Sequence, residues 1–444
     1  MPYDARGGSA AWRHDMQKLT IRPAVLILLF VATLAWPLTA AAPTARPEEV
    51  GLSAERLKRV TELLQRHVEA RNLSGAVTLV ARNGRVAHLE AHGLMDLESK
   101  KPMPKDAIFR IMSMTKPVVG VAVLMMMEEG KVRLNDPVSR FIPEFKEMKV
   151  AVAQPAAGRG GAAPAAPAGG RGGAPDPRFY TVPADREVTV RDVLTHTSGV
   201  ASGTLSNFDA RRVSAAAKDT LADYIPRLGG VALEFQPGTR WAYSAGAGFD
   251  VLSRIVEVAS GTPIDTFVKQ RIFDPLEMKD TTYIPPTGNA RLTTLYSRAA
   301  DGLRKSNDPG FMNGVYFSGG GGLFSTAEDY AQFALMLVNG GQLNGKRLLS
   351  PRLVELMGSV YAPDTLPGRP RGESYGLSVR VLNDPVARNS FLSEGSFGWS
   401  GLFGTHFWVD PKEKVIGVLM AQTSVPGLRE DFENAVMQSI VGAN

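Results

Sequence analysis

Ser113-Met114-Thr115-Lys116 sets a serine and a lysine three positions apart. On a helix, residues at that spacing share one face. A serine at a helix N-terminus meets unpaired backbone N–H groups and the positive end of the helix dipole, and both favour a developing oxyanion. A lysine taken out of water gives up its proton more readily and can then accept one from the serine. Such a pair could make and break an acyl-serine. The same four residues also fit a helix cap followed by a surface lysine. Against that, Ile111 to Gly130 carries Val118, Val119, Val121, Val123, Leu124, Met125 and Met126. A helix so apolar all round belongs in a core, and its lysine with it.

Two further stretches could complete this chemistry. Tyr243-Ser244, in RWAYSAGAGFDVLSRIVEVASG, stands just before a glycine-rich helix start. A phenol presented to a cleft beside an ammonium group could act as a general base. A buried tyrosine with a satisfied hydroxyl is the plainer alternative. Gly398-Trp399-Ser400-Gly401-Leu402 leads into GTHFWVDP. Glycines before an edge strand let substrate approach the backbone, so the Leu402 N–H could join that of Ser113 as an oxyanion donor. An ordinary turn before a strand would read the same way.

These residues need elements to carry them. Ser53 to Arg71 has Leu57, Val60, Leu63, Leu64 and Val68 at helical spacing, with Ser53 as cap. Ala76–Ala81 and Val86–Glu90 flank Asn83-Gly84, a strong hairpin signal. Order resumes at Val188–Leu194, and helices are expected at Thr220–Leu228, Gly248–Ala259 and Ala327–Val338, the last after the Gly319–Gly322 run. Strands follow at Tyr375–Leu382, Leu402–Val409 and Val415–Gln422, and a last helix over Leu428–Val441. Strands at both ends with helices between imply one sheet built from both ends of the chain and a helical lobe from the middle, with a cleft between them.

Composition narrows the chemistry. Among 444 residues, 44% are hydrophobic and 21% charged, which suits a globular protein with a large core. There is no cysteine, so thiolate zinc sites, Fe–S clusters, disulfides and a cysteine nucleophile are excluded. Net charge is +6, of which residues 1–41 hold +2 (four Lys/Arg against two Asp). The remaining excess is too dispersed for a nucleic-acid footprint. Neither a phosphate-binding loop nor a zinc-spaced His/Glu motif occurs.

Taken together, SxxK, the tyrosine motif about 130 residues on and the late x-x-Gly strand resemble the serine β-lactamase and penicillin-binding-protein superfamily. The chain is most similar to the class C β-lactamase-related hydrolases, and among them to the family VIII carboxylesterases. FRIMSMTKPVVGVAVLMMMEEGKVRLNDPVSRFIPEF, VTVRDVLTHTSGV, FDPLEMKDTTY, GGGGLFSTAEDYAQFALMLVNGG and GWSGLFGTHFWVDP carry the likeness over residues 46–440. It implies an α/β fold of the α+β type: a mainly antiparallel sheet flanked by helices, plus a mostly helical lobe. It implies Ser113 as the acylated nucleophile, Lys116 and Tyr243 as its activators and proton shuttle, and Ser113 and Leu402 as backbone oxyanion donors. It implies no metal and no organic cofactor.

Two positions depart from the β-lactamase pattern. Ala245 stands where those enzymes have asparagine, and Trp399-Ser400-Gly401 replaces Lys-Thr-Gly. The missing lysine removes a cation for a β-lactam carboxylate. Trp399 offers an apolar wall like that of the W-x-G of family VIII esterases, so Trp399, Ser400 and Gly401 are expected to bind substrate. The expected reaction is ester hydrolysis on a small molecule, with a β-lactam or a D-amino-acid peptide as the alternative substrate.

Other readings are weaker. No Gly-x-Ser-x-Gly elbow occurs, which argues against an α/β-hydrolase. His196 in THTSG reads as a loop or structural residue and His406 lies in a strand pattern, so neither is the expected catalytic base. A non-catalytic sensor module would be marked by loss of Ser113, Lys116 or Tyr243, and all three are present.

The remaining expectations concern processing. Pro23–Leu38 is a short apolar run preceded by Arg13, Lys18 and Arg22 and followed by Thr39, Ala40, Ala41 and Ala42. This is the layout of a signal peptide over residues 1–41, cleaved after Ala40 or Ala41, which would leave an exported, periplasmic or secreted protein free of the membrane. Translation could begin at Met16. Residues 154–177 hold 8 Ala, 7 Gly and 5 Pro among 24, a composition expected to form a disordered surface insertion. Nothing in the sequence fixes an oligomeric state.

Overall fold

The computed structural model describes residues 42–154, 176–285, 287–307 and 314–442. The proposed signal segment, and residues 155–175 of the Ala/Gly/Pro stretch, lie outside the described residues. The strands that flank this stretch, Lys149–Ala153 and Phe179–Pro183, pair antiparallel.

Helix α1 (Ala54–Glu69) starts where Ser53 accepts the Arg56 N–H. Strands β1 (Gly75–Arg82) and β2 (Arg85–Asp96) form a hairpin. Asn83 and Gly84 both have positive φ (54° and 76°), as a two-residue turn matched to strand twist requires. Next come β3 (Lys101–Pro102), α2 (Thr115–Glu128), α3 (Ala247–Ser260) and α4 (Ala327–Val338). Then β4 (Glu373–Tyr375), β5 (Arg380–Leu382), β6 (Phe397–Ser400), β7 (His406–Asp410) and β8 (Val415–Ala421) lead to α5 (Leu428–Met437).

One eight-stranded sheet has the order β4-β5-β6-β7-β8-β1-β2-β3, all antiparallel. Its centre joins the early strands to the late ones, as expected. Every residue of β1 is buried, because both faces are covered. Val77, Leu79 and Ala81 face the larger core, which holds α2, α3 and α4. Ala76 and Val80 face the smaller one, formed with Leu57, Val60 and Leu64 of α1 and Phe432 and Val436 of α5. Residues from Thr115 to Met126 of α2 are all buried.

Several expected boundaries shift. Ser113 lies in a 3-10 turn, Met112–Met114, that runs into α2, so the helix begins at Thr115 rather than at Ile111. Tyr375–Leu382 is two strands, not one. The Gly376 N–H donates to the Val379 carbonyl, and Ser378 takes φ 67° at the turn. Leu402 is not on a strand. It sits in the turn between β6 and β7, and the expected strand begins only at His406. Nor is β6 an edge strand, since β5 and β7 flank it. Only Phe397 and Gly398 of β6 pair with β5, however, so the Trp399–Ser400 end extends past its neighbour. The Thr220–Leu228 helix is α-helical only over Leu221–Tyr224 before tightening, and the last helix ends at Met437.

Candidate active site

Ser113, Lys116 and Tyr243 meet although 130 residues separate the first from the last. The Tyr243 hydroxyl lies 2.6 Å from Ser113 Oγ and donates to it. Lys116 Nζ lies 3.1 Å from the same oxygen. Met112, just before the serine, has φ 47°, a left-handed conformation that costs a non-glycine residue energy and recurs where a reactive group is held in place. The turn is pinned around it. Ile111 N–H donates to the Leu323 carbonyl, Leu323 N–H to Thr115 Oγ1, and the Tyr330 hydroxyl to the Met114 carbonyl.

Lys116 is fully buried. Its Nζ donates to the Ala245 and Gly320 carbonyls, each at 2.6 Å. Burial pushes its pKa down, while Tyr243 and Asp250 pull it up. A neutral amine has two N–H bonds and one lone pair. With two carbonyls as acceptors, the lone pair is left for the Ser113 proton.

The Gly320 carbonyl is set by Asp250. Asp250 Oδ1 accepts from the Ser318 hydroxyl (2.8 Å) and the Gly320 N–H (3.1 Å), and Oδ2 accepts from the Tyr316 hydroxyl (2.6 Å). Burial raises the Asp250 pKa, but these three donors and Lys116 oppose it. The glycine run serves close packing here. A Cβ on Gly319 would lie 2.1 Å from Ser253 Oγ, and one on Gly320 2.6 Å from Gly246 Cα.

Tyr243 is held by an aromatic group. His196 packs edge-on to its ring (4.8 Å between centroids) and to Tyr375 (5.1 Å), and Trp399 lies 5.6 Å from Tyr243. His196 Nδ1 accepts the Ser244 N–H. Burial, then Lys116 and Arg369, hold His196 far below its usual pKa. It supports the tyrosine, and its Nε2 has no hydrogen-bond partner among the described residues. His406 faces Ser400 and Glu433 instead.

Trp399, Ser400, Gly401 and Leu402 line a cleft of about 520 Å³ together with Ser113 and Tyr243. Trp241 and Arg369 line it too, the guanidinium 4.4 Å from the indole centroid. Leu402 is 64% exposed. At Gly401 a Cβ would meet the Ile111 carbonyl at 2.4 Å. Glycine therefore lets the β6–β7 turn lie against the chain just before Ser113. The Ser113 and Leu402 N–H groups make no hydrogen bond among the described residues. Also among the described residues, no group of three or more His, Asp or Glu is placed to hold a metal ion, and no helix is long and apolar enough to cross a membrane.

Sequence reasoning missed Asp250, Gly320, Trp241, Tyr375, Arg369 and Glu433. The one local signal was the glycine run, which marks where backbone must come close.

Protein Rv1367c of Mycobacterium tuberculosis (strain ATCC 25618 / H37Rv) is 33% identical over 383 residues, covering 82% of this chain and 89% of the relative. Esterase EstB of Burkholderia gladioli is 28% identical over 424 residues, covering 90% and 97%. Among solved structures, EstCE1, described as a hydrolase with promiscuous acyltransferase activity, superposes with a TM-score of 0.70 at 24% identity, covering 87% of this chain and 99% of the other. Residues 60–441 match the Beta-lactamase family, and the chain belongs to it.

Proposed function

We propose that this protein is a serine hydrolase that cleaves carboxylic esters through an acyl-enzyme on Ser113. The observation that carries the reading is the serine oxygen held between a buried lysine and a tyrosine hydroxyl, in a cleft walled by aromatic rings. Trp399 stands where a β-lactam-binding cation would be needed, which favours an ester. The likeness to an esterase over nearly the whole chain supports the same choice.

The reaction runs in two steps. Lys116, neutral, takes the Ser113 proton as Oγ attacks the ester carbonyl carbon. The Ser113 and Leu402 N–H groups hold the oxyanion. The C–O bond breaks, and the alcohol leaves with a proton passed from Lys116 through Tyr243. Water then attacks the acyl carbon, gives its proton to the same pair, and releases the acid and free Ser113. Export belongs to this reading as well, supported by the basic flank, apolar run and small residues between Arg13 and Ala42.

Hydrolysis of short-chain p-nitrophenyl esters, a chromogenic cephalosporin and a D-alanyl-D-alanine peptide should be measured side by side, for the wild type and Ser113→Ala. The expected result is ester turnover that vanishes in the variant. Dominant cephalosporin or peptide turnover would replace the ester assignment, and full activity in Ser113→Ala would remove the nucleophile.

A further inference from the structure

Arg369 lines the cleft but has no part in the reaction above. It belongs to the loop before β4, and its side chain is 2% exposed. The guanidinium rests on Trp241, 4.4 Å from the ring centroid, and lies 5.7 Å from that of Tyr375. Trp241 in turn stacks on Tyr243, with centroids 6.5 Å apart and planes 21° apart. The cation therefore stands two rings from the hydroxyl that touches Ser113.

Only part of the guanidinium is used within the protein. Nε donates to the Glu373 carbonyl at 3.1 Å. Nη2 donates to Glu373 Oε1 at 3.1 Å and to the Ser374 carbonyl at 2.9 Å. Nη1 also carries two protons, yet it makes no hydrogen bond among the described residues. Nor is it one of the unpaired polar atoms sealed inside the protein. The Nη1 edge is thus the edge open to the cleft.

The charges nearby leave this edge positive. Glu373 lines the cleft as well, but its oxygens are shared out. Oε1 takes Arg369, while Oε2 lies 3.6 Å from Arg380 and 3.8 Å from Arg388. Arg380 also pairs with Glu433 at 2.6 Å. Three guanidiniums share two carboxylates, which leaves one positive charge in excess. Arg429, the other arginine of the cleft, pairs with Glu430. A guanidinium covered by an indole and nearly out of water gains most from an acceptor that is itself charged.

We propose that Arg369 is a specificity-determining residue whose Nη1 edge binds a carboxylate of the substrate, so that the preferred ester is one half of a dicarboxylic acid or carries an acid on its alcohol. The inference rests on the ester reading and names a group the ester should bear. The cation comes from the loop before β4, not from the Trp399 position where the β-lactam-binding lysine is missing.

The test uses two pairs of esters of matched shape, with acid release followed in a pH-stat. Monomethyl glutarate against methyl 5-methylhexanoate puts the carboxylate on the acyl side. 4-Butyryloxybutanoate against 4-methylpentyl butyrate puts it on the alcohol side. Ratios of kcat/KM within a pair cancel any general loss of activity. In the wild type, the carboxylate member of at least one pair should be the better substrate. Arg369→Gln keeps a planar group against Trp241 and should lower that ratio roughly ten- to a hundredfold, the worth of a hydrogen bond to a charged group. If Arg369→Gln does not fold, the wild-type preference decides, because an apolar cleft without an available cation favours the uncharged ester. A wild type that hydrolyses the esters but prefers the uncharged member of both pairs overturns this inference and leaves the ester reading standing. So does a ratio unmoved in folded Arg369→Gln, or one that falls only in Arg429→Gln. A wild type that hydrolyses none of the four overturns the ester reading and this inference with it.

Discussion

Replacing Gly320 by alanine changes no charge and no reactive group, yet it should disable the site. Gly320 and Ala245 supply the two carbonyls, each 2.6 Å from Lys116 Nζ, that hold the lysine toward Ser113. A Cβ at Gly320 would fall 2.6 Å from Gly246 Cα, 2.8 Å from the Gly246 oxygen and 3.1 Å from the Ala245 oxygen. All three are backbone atoms and cannot swing aside. Restoring ordinary contact needs the two segments to part by about 1 Å. That stretches at least one lysine bond past hydrogen-bonding range. A misplacement of about 1 Å in a catalytic group costs roughly a hundredfold in rate. The packing strain should cost about 1–3 kcal/mol of stability. The assay is kcat/KM on p-nitrophenyl butyrate, well below the melting temperature of each variant, beside a thermal melt. Gly246→Ala is the comparison, because a Cβ there meets nothing within 4 Å, and its loss should be far smaller. Wild-type kcat/KM in folded Gly320→Ala would refute the idea that these carbonyls position the lysine.

Three other outcomes follow from the same contacts. Tyr243→Phe keeps the ring among His196 and Trp399 but removes the hydroxyl 2.6 Å from Ser113, and kcat should fall by about 10²–10⁴ with the fold intact. Asp250→Asn removes a negative charge that favours the ammonium form of Lys116. The neutral amine should then survive to lower pH, and the acid limb of the kcat/KM profile should move down. A folded variant with an unmoved limb would contradict this. Glu433→Gln breaks a buried ion pair with Arg380 and should cost about 3 kcal/mol at neutral pH. Because the folded-state pKa of Glu433 is depressed, that contribution is complete above the ordinary carboxylate range and is lost progressively as pH falls from there through the lower folded-state value. The gap between wild-type and variant melting temperatures should therefore close on acidification.

What the sequence discloses is whatever local spacing determines. The three-position step from Ser113 to Lys116 fixes a shared face. Asn83-Gly84 fixes a hairpin because both positions tolerate positive φ. Alternation and helical spacing fix which residues are buried. Asp250 is invisible because its role depends on a loop about 70 residues later that folds back onto it. Glu433, on helix α5, matters through Arg380 and His406, which lie on strands β5 and β7. The Tyr375–Leu382 run reads as one strand because nothing in its composition shows that Ser378 adopts φ 67°. Gly120 of α2 explains part of that turn, since a Cβ there would lie 2.0 Å from Ser378 Oγ. The helix glycine and the bend approach each other, and neither is informative alone. Leu402 reads as strand because its apolar side chain fits the pattern, whereas its place in a turn depends on Gly401 and Gly404, which admit the close approach and the positive φ.

The claim that everything else serves is that an ester passes its acyl group to Ser113. The most direct measurement is the intact mass of the enzyme, quenched in acid during turnover of p-nitrophenyl butyrate, followed by mapping of the modified peptide. The account predicts a gain of one butyryl group on the peptide that holds Ser113, absent in Ser113→Ala. A butyryl group on another residue, or turnover by Ser113→Ala at the wild-type rate, would contradict it.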